Sequence, residues 1–287
     1  MIDKPGGLTS HDVVARVRRI AGTRRVGHTG TLDPMATGVL VVCLGKATRL
    51  IPFIEEASPL DAKEYEATIR FGFETTTDDA MGESRGEARP VVGLTEDALR
   101  ACLANATGWL GQVPPAYSAK KVEGERAYAM ARRGEDVELK PVRIHVASAE
   151  VLEFSGETAR VRYVCSRGTY IRSLARDLGR VLGVGAHLSA LRRTRSVGAT
   201  LAQAVKLDEL TPEVLASRLV APSAILDGWP RAAVSIAEAA DLRLGRSIRA
   251  QSQAWDSGAR IRLIDDLGDL VALGRIEGRT IQPFCVF

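Results

Sequence analysis

Residues 64–71 alternate strictly between apolar and polar side chains, and this period of two constrains the fold more than any other feature of the chain. A segment of this kind is typical of a strand with one buried face. Residues 142–154 and 159–165 predict two further strands. Apolar residues spaced by three and four between Tyr170 and Gly183 predict a helix after them. Antiparallel-type strands mixed with helices indicate an α+β fold rather than a regular βαβ winding.

The N-terminal part of the chain predicts a helix, a loop and a strand. Ser10 suits an N-cap, and the valines that follow it share one helical face while arginines occupy the opposite face. The loop Gly27–Gly38 is rich in glycine and leads into the apolar run Val39–Leu44. That short, β-branched run predicts a buried strand.

The tail of the chain has a different pattern. Turn-forming residues cluster at Asp227–Pro230, and the residues after them form short alternating runs, such as Arg260–Ile264, that glycines interrupt. We therefore predict two domains, a larger one over residues 1–227 and a small, mostly β domain over residues 228–287.

Composition excludes several classes of protein. No apolar stretch approaches the roughly 20 residues that span a bilayer, and the N-terminus lacks the pattern of a secretory signal. We therefore expect a cytoplasmic protein without a membrane anchor. The four cysteines are scattered, with no C-x-x-C pair among them. We expect them to be small buried side chains in a reducing compartment, with neither zinc nor disulfides.

Basic residues are clustered along the chain. Lys and Arg outnumber Asp and Glu by 39 to 35. One group consists of Arg16, Arg18, Arg19, Arg24 and Arg25, and another of Arg192, Arg193 and Arg195. The planar guanidinium suits phosphate. Charge alone leaves two interpretations open, a solvated surface or a nucleic-acid interface.

Two irregular stretches carry side chains suited to chemistry. Asp33 is followed by Pro34, which restricts Asp33 to an extended conformation and so fixes the direction of its carboxylate. The same pair is also typical of a plain turn. Arg172 falls in the first turn of the predicted helix, where the helix dipole disfavours a cation. It is either solvated or held by a specific anionic partner.

Several motifs resemble, in order, those of one family. Asp3-Lys4-Pro5 with Gly7 and Thr9-Ser10 resembles its opening motif, and Gly27–Gly38 resembles its catalytic loop. The further motifs are Lys63-Glu64-Tyr65, Asp79-Ala80-Met81-Gly82, Pro114 to Ala119, Arg167 to Arg172, Gly185 to Leu188 and Leu191-Arg192-Arg193. Over about residues 2–195 the chain is therefore similar to the bacterial tRNA pseudouridine-55 synthases, the TruB family.

The resemblance implies a fold. It implies a mixed, largely antiparallel β-sheet flanked by helices, of the pseudouridine-synthase type. The tail resembles a PUA-type RNA-binding module at Gly245, Gly258, Gly274-Arg275 and Gln282-Pro283-Phe284. The segment at about residues 115–140 resembles one that closes over the RNA.

The resemblance also implies an activity: isomerisation of uridine to pseudouridine at position 55, in the T-arm loop of tRNA, by a stand-alone enzyme that flips the base. Asp33 is then the catalytic carboxylate, and Arg172 pairs with it. Among the other substrate-binding residues that it implies, His28 fills the gap left by the flipped base and Tyr65 stacks on that base. Tyr170 and Leu191 would line the pocket. For Tyr65, Tyr170 and Leu191, plain packing remains an alternative.

The implied reaction is redox-neutral, so we expect no cofactor and no metal. The expected partner is the tRNA substrate, with no obligatory protein partner. Two other functions stay open. A guide-RNA-dependent pseudouridine synthase shares the catalytic loop, although it lacks the 115–140 segment in this form. A non-catalytic tRNA-binding or folding protein would not require Asp33, Tyr65 and Arg172 together.

Overall fold

The computed structural model describes residues 1–287 except 58, 89, 119, 123, 136, 138, 227, 253 and 254. The chain divides into two compact units. The first unit consists of residues 1–13, 30–41 and 58–208, and the second of residues 14–29, 42–57 and 209–287. The domain boundary predicted at residues 227 and 228 falls on a residue outside the described part, and it stays a prediction.

The helices and strands are as follows. The helices are α1 (Ser10–Ala21), α2 (Ile51–Ala57), α3 (Glu96–Asn105), α4 (Ala127–Arg132), α5 (Ile171–Val181), α6 (Pro212–Ser217) and α7 (Ile236–Arg243). Strands up to residue 126 are β1 (Ile2–Lys4), β2 (Val26–Thr29), β3 (Thr37–Leu44), β4 (Lys63–Phe71), β5 (Glu74–Thr75), β6 (Ser84–Arg85), β7 (Gly108–Gln112), β8 (Lys121–Val122) and β9 (Glu125–Arg126). The later strands are β10 (Val142–Phe154), β11 (Thr158–Cys165), β12 (Ala186–Ser196), β13 (Ala199–Thr200), β14 (Val205–Lys206), β15 (Arg231–Ala233), β16 (Ile248–Arg249), β17 (Arg260–Ile264), β18 (Leu270–Glu277) and β19 (Thr280–Val286).

A large mixed sheet forms the centre of the first unit. Its order is β14-β1-β3-β12-β4-β11-β10-β7, with β13 paired to β12. β1 runs parallel to β14, and β12 runs parallel to β3. The other neighbours along this order are antiparallel. This arrangement confirms the predicted mixed, largely antiparallel sheet with helices.

The strands predicted from alternation are present. On β4 the residues Tyr65, Ala67, Ile69 and Phe71 are buried, as the period of two predicts. β10 covers the predicted range of residues 142–154, and β11 begins one residue before its predicted start. β3 is mostly buried, as the apolar run predicted.

β12 and β7 of this sheet were not predicted from the sequence. β12 lies between β3 and β4, and its register against β4 shifts between Leu188 and Ala190 and again between Arg193 and Arg195. Each bulge adds a residue to one strand and interrupts the alternation. β7 is a five-residue strand at the end of the sheet order, and two of its residues are glycines. Glycine is depleted in strands, so the pattern there is weak.

The start of α1 differs from the prediction. Thr9 caps the helix: its hydroxyl accepts from the amide of Asp12, and the carboxylate of Asp12 accepts from the amide of Thr9. Ser10, predicted as the N-cap, is the first helical residue, and its buried side chain bonds to the backbone of Leu32. The predicted cap is therefore wrong by one residue because the Ser10 hydroxyl is used in a tertiary contact. α5 occupies its predicted place.

The second unit contains a β-sheet of order β15-β17-β18-β19-β16. Its core includes Leu242 of α7 with Ile261, Leu263 and Ile281 of the sheet. This confirms the predicted C-terminal β domain. α2 belongs to the same unit: the Phe53 ring lies 5.3 Å from that of Phe284.

The four thiols are free, with Cys43, Cys165 and Cys285 buried and Cys102 half-buried. Burial raises the pKa of the Cys165 thiol to about 11.

Among the residues that the structure describes, no helix combines the length and the apolarity needed to cross a membrane.

Candidate active site

The loop that carries Asp33 rests on a buried lysine. Lys4, at the end of β1, is fully buried, and its Nζ donates to the carbonyls of Pro5 at 2.9 Å, Leu8 at 2.6 Å and Pro34 at 3.2 Å. Burial lowers the pKa of Lys4 from 10.5 to about 8, while the charge of Asp33 acts in the opposite direction. One ammonium therefore ties the opening motif to the residue that follows Asp33.

A buried arginine supports the same loop. The Arg193 side chain is fully buried, and it donates from Nη2 to the Gly30 carbonyl at 3.1 Å and from Nε to the Val39 carbonyl at 2.8 Å. Its Nη1 lies 3.5 Å from the Thr31 carbonyl oxygen. The guanidinium thus contacts the backbone before the Asp33 turn and after it.

Gly38 ends the loop where β3 meets β12. Its φ of +102° is rarely adopted by residues with a side chain. A Cβ at this position would also overlap the backbone of Arg193, its partner in the parallel β12–β3 register. The glycine is needed here for both reasons.

Asp33 and Arg172 form the ion pair that the resemblance implied. The Arg172 Nη2 donates to Asp33 Oδ1 at 3.2 Å, and its Nε lies 2.9 Å from Oδ2. The guanidinium is almost fully buried, whereas a third of the Asp33 side chain is exposed. The carboxylate therefore keeps an open side while its back is fixed by two guanidinium nitrogens.

Arg172 is itself fixed by other groups. Its Nη1 donates to the Thr77 carbonyl and its Nη2 to the Tyr117 carbonyl, both at 3.0 Å. The Asp79 carboxylate lies 3.6 Å from Nε. Asp33 and Asp79 are the anionic partners that offset the unfavourable place of a cation in the first turn of α5.

One turn along α5, a second arginine repeats the arrangement. Arg176 Nη1 bonds to Asp78 at 2.8 Å, and both side chains are buried. Asp78 has a φ of +60°, and burial raises the pKa of its carboxyl while Arg176 acts against that rise. Asp79 Oδ1 accepts from Thr77 Oγ1 at 2.6 Å. Residues 75–86 are therefore held by side chains of α5 and by their own hydrogen bonds.

Three other candidate residues lie in the same unit. Tyr65 on β4 is directly opposite Arg193, and Leu191 is opposite Ala67, two residues further along β4. Residues directly opposite across a ladder share a face, so Tyr65 and Leu191 are on one face of the sheet. Tyr170 is the N-cap residue of α5, two residues before Arg172. Burial chiefly raises the pKa of its hydroxyl, and the charge of Asp33 adds to the rise.

His28 belongs to the second unit. It lies near the end of β2 and is half-buried. The roles of His28, Tyr65, Tyr170 and Leu191 stay predictions.

The structure corrects one part of the charge interpretation. The cluster of Arg192, Arg193 and Arg195 is not available for phosphate as a group. Arg193 is buried, Arg192 pairs with Asp3 at 2.8 Å, and Arg195 lies 3.9 Å from Glu64. Consecutive residues of a strand point to opposite faces, so a run of arginines on a buried strand places one of them inside.

Two supporting residues have no individual signal in the sequence. Gln112 is buried at the end of β7, and Asp79 contacts Arg172. Asp79 belongs to a family-like motif, but its contact with Arg172 depends on how the chain folds. Gln112 lies just before the motif Pro114 to Ala119 and outside it, so nothing local indicated a role.

The arrangement is suited to a reaction that uses a carboxylate held in one orientation. Asp33 is held by a fixed cation, and an apolar face of the sheet with a tyrosine lies in the same unit. Among the described residues there is no group of three or more His, Cys, Asp or Glu that suits a metal ion.

Sequence families match most of the chain. Residues 18–171 match the family described as TruB family pseudouridylate synthase (N terminal domain), and residues 172–225 match the tRNA pseudouridylate synthase B C-terminal domain. A protein of Thermobifida fusca named tRNA pseudouridine synthase B is 50% identical over 295 aligned residues, covering 100% of this chain and 97% of that protein. A protein of the same name from Solibacter usitatus is 44% identical, covering 96% and 94%.

Solved structures share the fold. A chain of a Cbf5-Nop10-Gar1 complex aligns with a TM-score of 0.74 and 26% identity, covering 99% of this chain and 83% of that one. A chain of an H/ACA RNP bound to a substrate RNA containing 2'-deoxyuridine aligns with a TM-score of 0.72 and 25% identity, covering 100% and 83%.

Proposed function

Because the chain belongs to the TruB family of pseudouridylate synthases, we propose that it converts uridine to pseudouridine at position 55, in the T-arm loop of tRNA, with Asp33 as the catalytic carboxylate. The relatives that are 44–50% identical carry the name tRNA pseudouridine synthase B. The observation that carries the role of Asp33 is its geometry: two nitrogens of buried Arg172 hold a carboxylate whose other side is open.

The reaction exchanges one bond of the ribose for another. The C1′–N1 glycosidic bond breaks, the uracil turns, and a C1′–C5 bond forms while N1 gains a proton and C5 loses one. No electrons are gained or lost. The enzyme must supply an ionised carboxylate and keep the free uracil beside the ribose, since retention supplies a high effective concentration for recombination.

The neighbouring side chains suit these two tasks. Arg172 orients the Asp33 carboxylate, because two of its nitrogens lie against the two carboxylate oxygens. Tyr65 stacks on the uracil, while Leu191 and Tyr170 complete the pocket. Tyr65 and Leu191 lie on one face of adjacent strands, which lets them line one wall.

The target base is stacked in a folded loop, so the enzyme must flip it out. His28 then fills the vacated space. The exposed arginines Arg18, Arg19, Arg24 and Arg25 hold the RNA backbone. The segment of residues 115–140 closes over the RNA. A steep, linear fall of log affinity with log salt is expected if these arginines neutralise phosphates.

A guide-RNA-dependent enzyme is the second candidate, because the solved structures with the same fold include an H/ACA RNP. Identity favours the stand-alone enzyme: 44–50% with the proteins named tRNA pseudouridine synthase B against 25–26% with the solved chains. The two candidates differ in whether the protein acts without added RNA.

The test is to map pseudouridine in defined tRNA transcripts treated with the purified protein and no other factor. We expect modification confined to position 55. Asp33→Asn keeps the shape and removes the charge, so turnover vanishes while tRNA affinity stays within a few-fold. Asp61→Asn, at an exposed aspartate of the same unit, is the matched control and keeps full activity. Absence of product with the wild-type protein, or product from Asp33→Asn, contradicts the proposal.

A further inference from the structure

Gln112 is a buried amide that neither the family resemblance nor the ion pair explains. It is the last residue of β7, and only 2% of it is exposed. Its side chain bonds twice to the backbone of Tyr170: Nε2 donates to the Tyr170 carbonyl at 3.0 Å, and Oε1 accepts from the Tyr170 amide at 2.8 Å. The amide thus pairs with Tyr170 as the backbone of a neighbouring strand would.

The place of this contact matters for the site. Tyr170 is the N-cap residue of α5, its backbone is extended, and its own side chain makes no capping hydrogen bond. The position at which α5 begins is therefore set from outside the helix. Arg172 follows two residues later, so any shift of the helix start moves the guanidinium that holds Asp33.

The chain after Gln112 continues along α5. The Val113 carbonyl accepts from Ser173 Oγ and from Arg176 Nη2, both at 2.9 Å. The Tyr117 carbonyl accepts from Arg172 Nη2 at 3.0 Å. Residues 112–117 are therefore bonded to the first two turns of α5. The last three of them are also the first residues of the segment 115–140.

We infer that Gln112 is a positioning residue for the reaction: it fixes the start of α5 and thereby places Arg172 against Asp33 without touching the substrate. The inference rests on the proposed function, because its main measurement is a rate of pseudouridine formation. A displacement of catalytic groups by about 1 Å lowers rates by up to about 100-fold, so loss of this clamp is visible in the rate.

Ser173 provides the matched control. It is fully buried and donates to the same segment, at Val113, but it does not contact Tyr170. Ser173→Ala removes one hydrogen bond between α5 and residues 112–117 and leaves the clamp on Tyr170 intact. If Gln112 served stability alone, its substitution would lower the melting temperature and leave the rate nearly unchanged, as we expect for Ser173→Ala.

The experiment measures saturating single-turnover rates, tRNA affinity and melting temperature for wild type, Gln112→Met and Ser173→Ala. We expect Gln112→Met to lower the maximal rate about 10- to 100-fold and to leave tRNA affinity within about 3-fold. We expect Ser173→Ala to lower the melting temperature with a rate within about 3-fold of wild type.

Gln112→Glu supplies an independent readout. A protonated carboxyl can accept from the Tyr170 amide and donate to its carbonyl, whereas an ionised carboxylate cannot donate. Burial raises the pKa of a carboxyl, so the rate of Gln112→Glu relative to wild type rises as the pH is lowered from about 8 to about 6. This readout stands even if Gln112→Met does not fold.

Two results would overturn the inference: wild-type rates in both Gln112 variants at all pH values, or an equal loss of rate in Ser173→Ala. The failure of the proposed function looks different, since the wild-type protein then forms no pseudouridine in any transcript.

Discussion

Arg193 donates from Nη2 to the Gly30 carbonyl at 3.1 Å, although 163 positions separate the two residues in the chain. Gly30 comes three residues before Asp33, so a side chain of the central strand β12 holds the loop that carries Asp33. The burial of this guanidinium is compensated by backbone carbonyls, since a buried cation needs polar partners.

Arg193→Met is expected to destabilise the protein and to leave the binding of the protein to tRNA phosphates unchanged. Its loss leaves buried carbonyls unsatisfied, at about 1–3 kcal/mol each, so the free energy of unfolding falls by about 3 kcal/mol or more. Arg192→Met removes a half-exposed pair with Asp3, which is worth about 1 kcal/mol or less. Denaturant unfolding measures both. A changed salt slope of tRNA binding in Arg193→Met would contradict its structural role.

Arg172→Lys keeps the charge but loses the planar fork. Lysine cannot contact both Asp33 oxygens and the carbonyls of Thr77 and Tyr117 at once. The single-turnover rate is expected to fall by orders of magnitude. The control is Arg160→Lys on β11, where Arg160 forms an exposed ion pair with Glu153, and this variant is expected to keep the wild-type rate. Equal rates for both variants would show that the fork geometry is not needed.

The buried Lys4 ammonium gives a pH-dependent contribution to stability. Its pKa is about 8 in the folded protein and 10.5 without the fold, so the unfolded chain binds more protons between these values. Stability from this group therefore rises as the pH increases through this window and is lost as the pH falls through 8. The difference in unfolding free energy between wild type and Lys4→Met is expected to be larger at pH 10 than at pH 7.5. A constant difference would mean that the Lys4 pKa is not lowered.

A chain truncated at residue 227 is expected to keep its catalytic activity and to modify the same site. We expect the truncation mainly to weaken tRNA binding. The truncation is also expected to lower stability, because it removes residues that α2 contacts. Phe53 packs against Trp229 and Phe284, and Glu56 pairs with Arg260 at 2.5 Å.

Phe53→Ser tests this cost. We expect it to lower the melting temperature of the full chain by several degrees and to leave that of the truncated chain nearly unchanged. Equal effects in the two chains would show that α2 does not depend on the tail. A collapse of the maximal single-turnover rate on truncation, with affinity unchanged, would instead show that the tail takes part in the chemistry.

The sequence alone determined the parts of the fold that depend on local patterns. The alternation of residues 64–71 and the apolar spacing after Tyr170 predicted β4 and α5 because hydrophobic periodicity reflects burial of one face. Motif resemblance, rather than spacing, paired Asp33 with Arg172, since 139 positions separate them.

Only the tertiary structure decided which polar groups meet. β12 was hidden because two bulges break its alternation and because it carries arginines that are typical of exposed surface. The burial of Arg193 and the clamp of Gln112 on Tyr170 depend on strand register and on contacts between residues 154, 163 and 58 positions apart. A polar side chain in a sequence shows what it can bond to, but only the fold determines which carbonyl or carboxylate lies within reach of it.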